Sequence, residues 1–155
     1  MQTIDEILRE VPFFWGLESD HLELIAGCGA NVAFKADDLL FRDGDPAETF
    51  YIVRHGSVAL ETFVPARGPF TIETLEEGEI IGWSWLFPPY RWHFDARALS
   101  LVRATAFDGA CLRRKCGSDP RLGYELMTRF AQVVIERLQW TRMRLLDVYG
   151  YASAE

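Results

Sequence analysis

The chain has 155 residues, about half of them hydrophobic and a quarter charged, with a formal net charge of -7. That length supplies one compact core and is short for two, and an aromatic share of 14% fills it generously, since aromatic side chains bury large areas. The acidic balance, with no basic run longer than Arg113–Lys115, argues against the basic face of a DNA binder, and no apolar run approaches a membrane span.

Residues 1–28 read as helices. Ile4, Ile7, Leu8 and Val11 fall on one face, and Leu17, Leu22, Leu24 and Ile25 continue it after a turn at Trp15–Gly16. Ser19, ahead of Asp20 and His21, marks a helix N-cap. The opening MQTIDEILRE is the start of an amphipathic helix rather than a signal peptide. The cysteines (Cys28, Cys111 and Cys116) are odd in number and form no CxxC pair. Reduced thiols in a cytoplasmic protein are the expectation, with pairing or metal binding by Cys111 and Cys116 as the alternative.

Residues 31–107 change period. VAF, LLF, ETFYIV, SVALETFV, FTIETL and RALSLVRATAF are short runs rich in β-branched and aromatic residues. DGDP, RHGS, PARGP and EEGE separate them as turn clusters. Strands at this spacing predict a barrel or a sandwich. His55–Gly56 is expected to close a tight hairpin, because glycine tolerates positive φ.

Residues 119–149 form a long helix. Met127, Val134, Thr141 and Val148 recur every seven residues, and Ala131, Leu138 and Leu145 follow the first three at a spacing of four. That is an a/d seam, and it predicts a homodimer; the alternative is a helix lying on its own barrel. Phe130, Val133 and Arg137 lie on a neighbouring face that can touch the barrel. Pro120 suits the first turn.

Helices, a β region and a long C-terminal helix follow one another as in cyclic nucleotide-binding domains. GDPAETFYIVRHGSVALE (Gly44 to Glu61) resembles that family's signature, VPFFWGL (Val11 to Leu17) resembles the segment before its barrel, and ERLQWTRMRLL (Glu136 to Leu146) is similar to the dimerising helix of the bacterial catabolite activator group. The resemblance spans nearly the whole chain. It implies one domain over residues 1–155, mainly β with flanking helices: a double-stranded β-helix (jelly-roll) barrel with N-terminal helices and a long C-terminal dimerisation helix.

The resemblance also places a phosphate-binding cassette at GEIIGWSWLFPPYRWHFDARAL, Gly78 to Leu99. In the family a Gly-Glu pair opens a short helix whose free N–H groups hold the cyclic phosphate, and the Glu accepts from the ribose hydroxyl. An Arg ten residues after the Gly neutralises the phosphate through its planar fork. Here the opening Gly is Gly82, the Glu position holds Trp83, and the Arg position holds Trp92. Arg97–Ala98 match the family's closing Arg-Ala and check that register, and Gly78–Glu79 fall four residues early. Charge-assisted hydrogen bonds contribute about 1.5–3 kcal/mol each. Losing both partners takes a micromolar site to roughly millimolar or weaker. The candidate ligand-binding residues are Gly82, Trp83, Ser84, Arg91, Trp92, His93 and Thr141, and the indoles either line a pocket or plug the barrel.

These features point to a stand-alone regulatory module that signals through an unidentified protein partner, with cyclic nucleotide binding lost or altered. Genuine cAMP or cGMP binding through a rearranged cassette is the alternative. The ligand, if one is used, is a cyclic nucleotide or another small molecule; no cofactor is required. Few residues follow Tyr149, so no helix-turn-helix domain is expected and no DNA contact. His21, His55 and His93 form no H-x-H pair and no Ser-His-Asp or Cys-His arrangement is arguable, so neither a metal centre nor catalysis is expected.

Overall fold

The computed structural model describes residues 2–149; residues 1 and 150–155, which the single-domain expectation includes, lie outside it. Helix α1 (Ile4–Glu10) starts at a capping box: the Thr3 hydroxyl accepts from the Glu6 N–H, and the Glu6 carboxylate accepts from the Thr3 N–H. A 3-10 turn (Pro12–Phe14) leads to α2 (Ser19–Ala26), which begins one residue earlier than expected, with Glu18 at its N-cap.

Eight strands follow: β1 (Gly29–Phe34), β2 (Leu39–Phe41), β3 (Thr49–His55), β4 (Val58–Val64), β5 (Gly68–Leu75), β6 (Ile80–Ile81), β7 (Asp95–Ala98) and β8 (Val102–Asp108). They form two antiparallel four-stranded sheets, in the orders β1-β8-β3-β6 and β2-β7-β4-β5, the double-sheet jelly roll. His55–Gly56 is therefore not a hairpin. β3 pairs with β6 and β8, β4 pairs with β5 and β7, and the turn carries the chain from one sheet to the other. Gly56 has φ +88, and a Cβ there would stand 2.3 Å from the Leu101 carbonyl oxygen. Only glycine fits.

The strand period of two divides the interior. Phe50 and Ile52 of β3, Ile80 of β6 and Phe107 of β8 face the helices, where they pack with Leu8, Ile25, Trp85, Leu112 and Phe130. Val53 and Ile81, the next residues along, and Val102 of β8 face between the sheets, with Val58, Leu60, Leu75 and Trp92. One sheet thus serves two cores.

Helix α3 (Gly109–Ser118) had no counterpart in the sequence reading. Gly109, Gly117 and a run of three cations hide its period, yet Asp108 caps it by accepting from the Cys111 N–H. Helix α4 (Pro120–Tyr149) has Pro120 at its first position. Asp119 precedes it, accepting from the Leu122 N–H at 3.3 Å and meeting His21 Nε2 at 3.1 Å. These contacts hold the Asp119 carboxyl below its ordinary pKa, the Leu122 N–H first among them.

The cysteine expectation is corrected. Cys28 and Cys111 are disulfide-bonded, with Cα atoms 5.8 Å apart, and Cys116 is the free thiol, its pKa raised by burial. A separation of 83 residues hides the pairing in the sequence. The β1–β8 register, Gly29 opposite Phe107, and the Asp108 N–H donating to the Cys28 carbonyl at 2.9 Å bring the two together.

Closing so long a loop stabilises by about 4–5 kcal/mol in the chain-entropy account. Treatment with a reductant, or Cys28→Ala, is expected to lower the melting temperature well beyond the effect of Cys116→Ala, as read by thermal denaturation monitored by circular dichroism. Identical melting of oxidised and reduced protein would contradict the bond.

Candidate functional site

The cassette begins where β6 ends. Ahead of the strand, the Gly78 N–H donates to the Val53 carbonyl (2.8 Å) and the Glu79 N–H to the Glu76 carbonyl (3.0 Å). Gly78–Glu79 are therefore a turn entering β6, while Gly82, at φ +95, leaves it. After Gly82 the chain forms no helix. It folds in two tight turns, with Leu86 N–H donating to the Trp83 carbonyl (3.0 Å) and Tyr90 N–H to the Phe87 carbonyl (2.9 Å), and with a cis Pro88–Pro89 bond between. Residues 91–92 then return beside the Gly44–Ala47 loop: Ala47 N–H donates to the Tyr90 carbonyl, Trp92 N–H to Asp45, and Gly44 N–H to Trp92, at 2.7–3.0 Å.

The three indoles take three settings. Trp92 enters the space between the sheets, is 3% exposed, and stacks on Phe41 at 3.7 Å between ring centroids and 8° between planes. Its ring also covers Gly82, where a Cβ would lie 2.3 Å from the nearest ring carbon. Trp85 points the other way, fully buried, stacked on Phe50 (5.3 Å) and edge-on to Phe130 (5.4 Å). Trp83 is half-buried, with the Arg137 guanidinium 4.9 Å above its ring.

The remaining candidates do not converge on one lining. Ser84 is buried. Arg91 is exposed and its Nη1 donates to the Gly44 carbonyl at 3.1 Å, so it staples the loop from outside. His93 is exposed. Thr141 is exposed on α4 and donates to the Arg137 carbonyl one turn back, at 2.9 Å. Where the sequence reading gathers these seven positions into one cassette, the fold sends them to a barrel core, a loop surface and a helix face.

Two arginines outside that list organise the surroundings. Arg137 reaches from α4 to donate to the Ile80 carbonyl, lies 3.7 Å from a Glu73 oxygen, and covers Trp83. Burial lowers its pKa, opposed by Glu73, Glu79 and Glu136. The helix face shared by Phe130, Val133 and Arg137 was the signal for it. Arg97 ties β7 to β4 by two bonds to the Glu61 carboxylate (2.8 and 3.1 Å) and reaches Asp37 at 2.9 Å. The Glu61 contact raises its pKa.

Helix α4 buries only Leu122, Leu126 and Phe130. Along the heptad seam, Met127, Ala131, Leu138, Thr141, Leu145 and Val148 are exposed and Val134 is half-buried. No helix of the described residues is long and apolar enough to cross a membrane.

A jelly roll carrying helices at both ends, with a looped cassette between β6 and β7, defines the class of fold. The sequence profile of the cyclic nucleotide-binding domain matches residues 31–119, and the chain belongs to that family. It is similar to a cyclic nucleotide-binding-type protein of Geobacter metallireducens, at 30% identity and a TM-score of 0.78, covering 89% of this chain and 99% of that one. A cyclic nucleotide-binding domain from Methylobacillus flagellatus shares the fold at 21% identity and a TM-score of 0.79, over 94% of this chain and 82% of its own. Among curated proteins, a CRP-like cAMP-activated global transcriptional regulator of Mycobacterium tuberculosis is 24% identical over 94% of this chain. This chain spans 63% of that regulator's length.

Trp92→Ala removes the largest side chain of the inner core. A loss of about 3–5 kcal/mol is expected, read as a lowered midpoint in urea denaturation. Gly82→Ala is expected to destabilise as well, through both its φ and the indole above it. An unchanged midpoint in either variant would deny the packing.

Proposed function

We propose that the chain is a dimeric regulatory module of the cyclic nucleotide-binding family whose barrel has exchanged nucleotide binding for an aromatic core. It works as a binding module rather than an enzyme, and its output passes through another protein. We place it in the cytoplasm on its resemblance to bacterial regulators alone, since the Cys28–Cys111 bond removes the reduced-thiol argument.

One observation carries this reading: the Trp92 indole lies between the sheets against Phe41 and over Gly82, at the position that the Arg97–Ala98 register assigns to the family's phosphate arginine. Trp83 stands at the position of the ribose-binding carboxylate and is covered by Arg137. Arg91, the residue before Trp92 in sequence, is bonded to Gly44. Removing one partner of a desolvated charge pair costs about 2–5 kcal/mol, and here both partners are replaced. Arg137 supports a route for signalling, because one side chain on α4 touches the strand before the cassette and the first cassette indole. The exposed seam supports dimerisation, since an apolar stripe sustained over several heptads is stable in water only when covered.

Calorimetry of the whole protein with cAMP and with cGMP tests the first part. No heat is expected at nucleotide concentrations of about 1 mM; saturable micromolar binding would overturn the reading in favour of a rearranged, functional cassette. Light scattering after size exclusion tests the second. The native chain is expected to run as a dimer and the Leu138→Glu/Leu145→Glu variant as a folded monomer. A native monomer would refute the dimer.

A further inference from the structure

A second concavity lies outside the barrel. The 3-10 turn, the Gly78–Ile80 turn and the middle of α4 enclose an open cleft of about 850 Å³, within the usual range of roughly 300–1,000 Å³ for small-molecule sites. Ile80 in its wall belongs to the helix-facing core, whereas Ile81, the next residue, faces the barrel interior. The cleft is therefore separate from the space that Trp92 fills.

Its walls combine two chemistries. Phe13, Ile80 and Val133 are apolar, and two indoles border it, Trp15 at 64% and Trp140 at 57% exposure. Among them stand three carboxylates, Glu73, Glu79 and Glu136. Two arginines also line the cleft, but the protein itself occupies them. Arg129 donates to the Glu125 and Trp15 carbonyls at 3.1 and 2.8 Å and pairs with the Glu125 carboxylate. Arg137 donates to Ile80 through Nη2, has Nε 3.7 Å from Glu73 and stacks on Trp83, and its Nη1 is buried without a hydrogen-bond partner.

The carboxylates are less well matched. Among the described residues, neither Glu79 nor Glu136 forms an ion pair within 4.0 Å. Glu79 accepts the Glu76 N–H at 3.3 Å, and Glu136 accepts the Gln132 amide at 3.2 Å. Burial raises the Glu79 pKa, and neighbouring Glu73 and Glu76 add to this, while its Glu76 N–H bond and Arg137 oppose it. Negative charge in surplus beside exposed indoles is the chemistry that holds a cation, because the ring face is negative and attracts it at short range.

We propose that this cleft binds a small organic cation, its ammonium group between Glu79 and Glu136 and its methyl or alkyl groups against Trp15 and Trp140. An anion would meet the three carboxylates, while Arg129 and Arg137 are already engaged by Glu125, Glu73 and backbone carbonyls. Val133, Glu136 and Trp140 lie on the face of α4 turned away from the heptad seam, so the site stays open in the dimer proposed above and does not depend on it.

The test uses the whole protein with choline as the probe and 3,3-dimethyl-1-butanol as its uncharged isostere, by tryptophan fluorescence and calorimetry. Saturable choline binding near 1 mM or tighter is expected, at least about tenfold stronger than the isostere. Glu79→Gln/Glu136→Gln is expected to abolish that preference, and Trp140→Ala, at an exposed helix position that folding does not require, to weaken binding severalfold and reduce the fluorescence change. Equal binding of choline and the isostere, binding indifferent to all these substitutions, or no binding of choline or tetramethylammonium at about 10 mM would each overturn the proposal. Glu79→Gln/Glu136→Gln alters the cleft and leaves the barrel lining of Trp92 and Phe41 unchanged, so the two sites fail or stand separately.

Discussion

The parallel stack of Trp92 on Phe41 decides what the barrel can hold. A jelly roll of this size keeps its sheets apart with side chains or with a ligand, and here an indole and a phenyl ring at 3.7 Å take that space. Gly82 follows from the stack, since a side chain there would enter the Trp92 ring. So does the course of the cassette. The loop returns through Arg91 beside Gly44 and Asp45, which delivers the next residue inward and leaves Arg91 and His93 on the surface.

β3 and β6 carry the organisation outward. Their alternate residues supply two cores, so a change in the barrel reaches the helical layer through one strand thickness. Arg137 joins the same elements by polar contacts, bonding the Ile80 carbonyl and covering Trp83 from α4. The cleft beside it is the outer face of this junction. Its carboxylates and indoles flank the helix whose seam faces away, and any group seated there would press on α4 and on the turn into β6 together.

The disulfide adds a covalent constraint to the helix-facing core. It ties the residue that leaves α2 to the first turn of α3, across the β1–β8 pair. Lys115 reinforces the same corner by donating to the Leu24 carbonyl at 2.7 Å. The α3–α4 corner is thus anchored to the N-terminal helices, while the long distal part of α4 carries its apolar stripe unburied by this chain.

Local sequence patterns determined much of this. The switch from helical to strand period set the three zones, the turn clusters set five strands, and the heptad set the long helix, because each is read from neighbours within a few residues. β6 went unread, and the run RALSLVRATAF divides into β7 and β8. The substitutions at Trp83 and Trp92 were equally legible once the register was fixed by Arg97–Ala98. Tertiary structure alone decided the rest. Whether His55–Gly56 closes a hairpin depends on which distant strands β3 and β4 choose, and the Cys28–Cys111 bond depends on a register set some 83 residues apart. α3 was hidden because its glycines and cations carry little period and its stability comes from Leu112 and the Asp108 cap. The direction of each indole was hidden for the same reason. Neighbours in a strand or turn face opposite cores, and only the packed partners (Phe41 for Trp92, Phe50 for Trp85, Arg137 for Trp83) fix which one each ring enters.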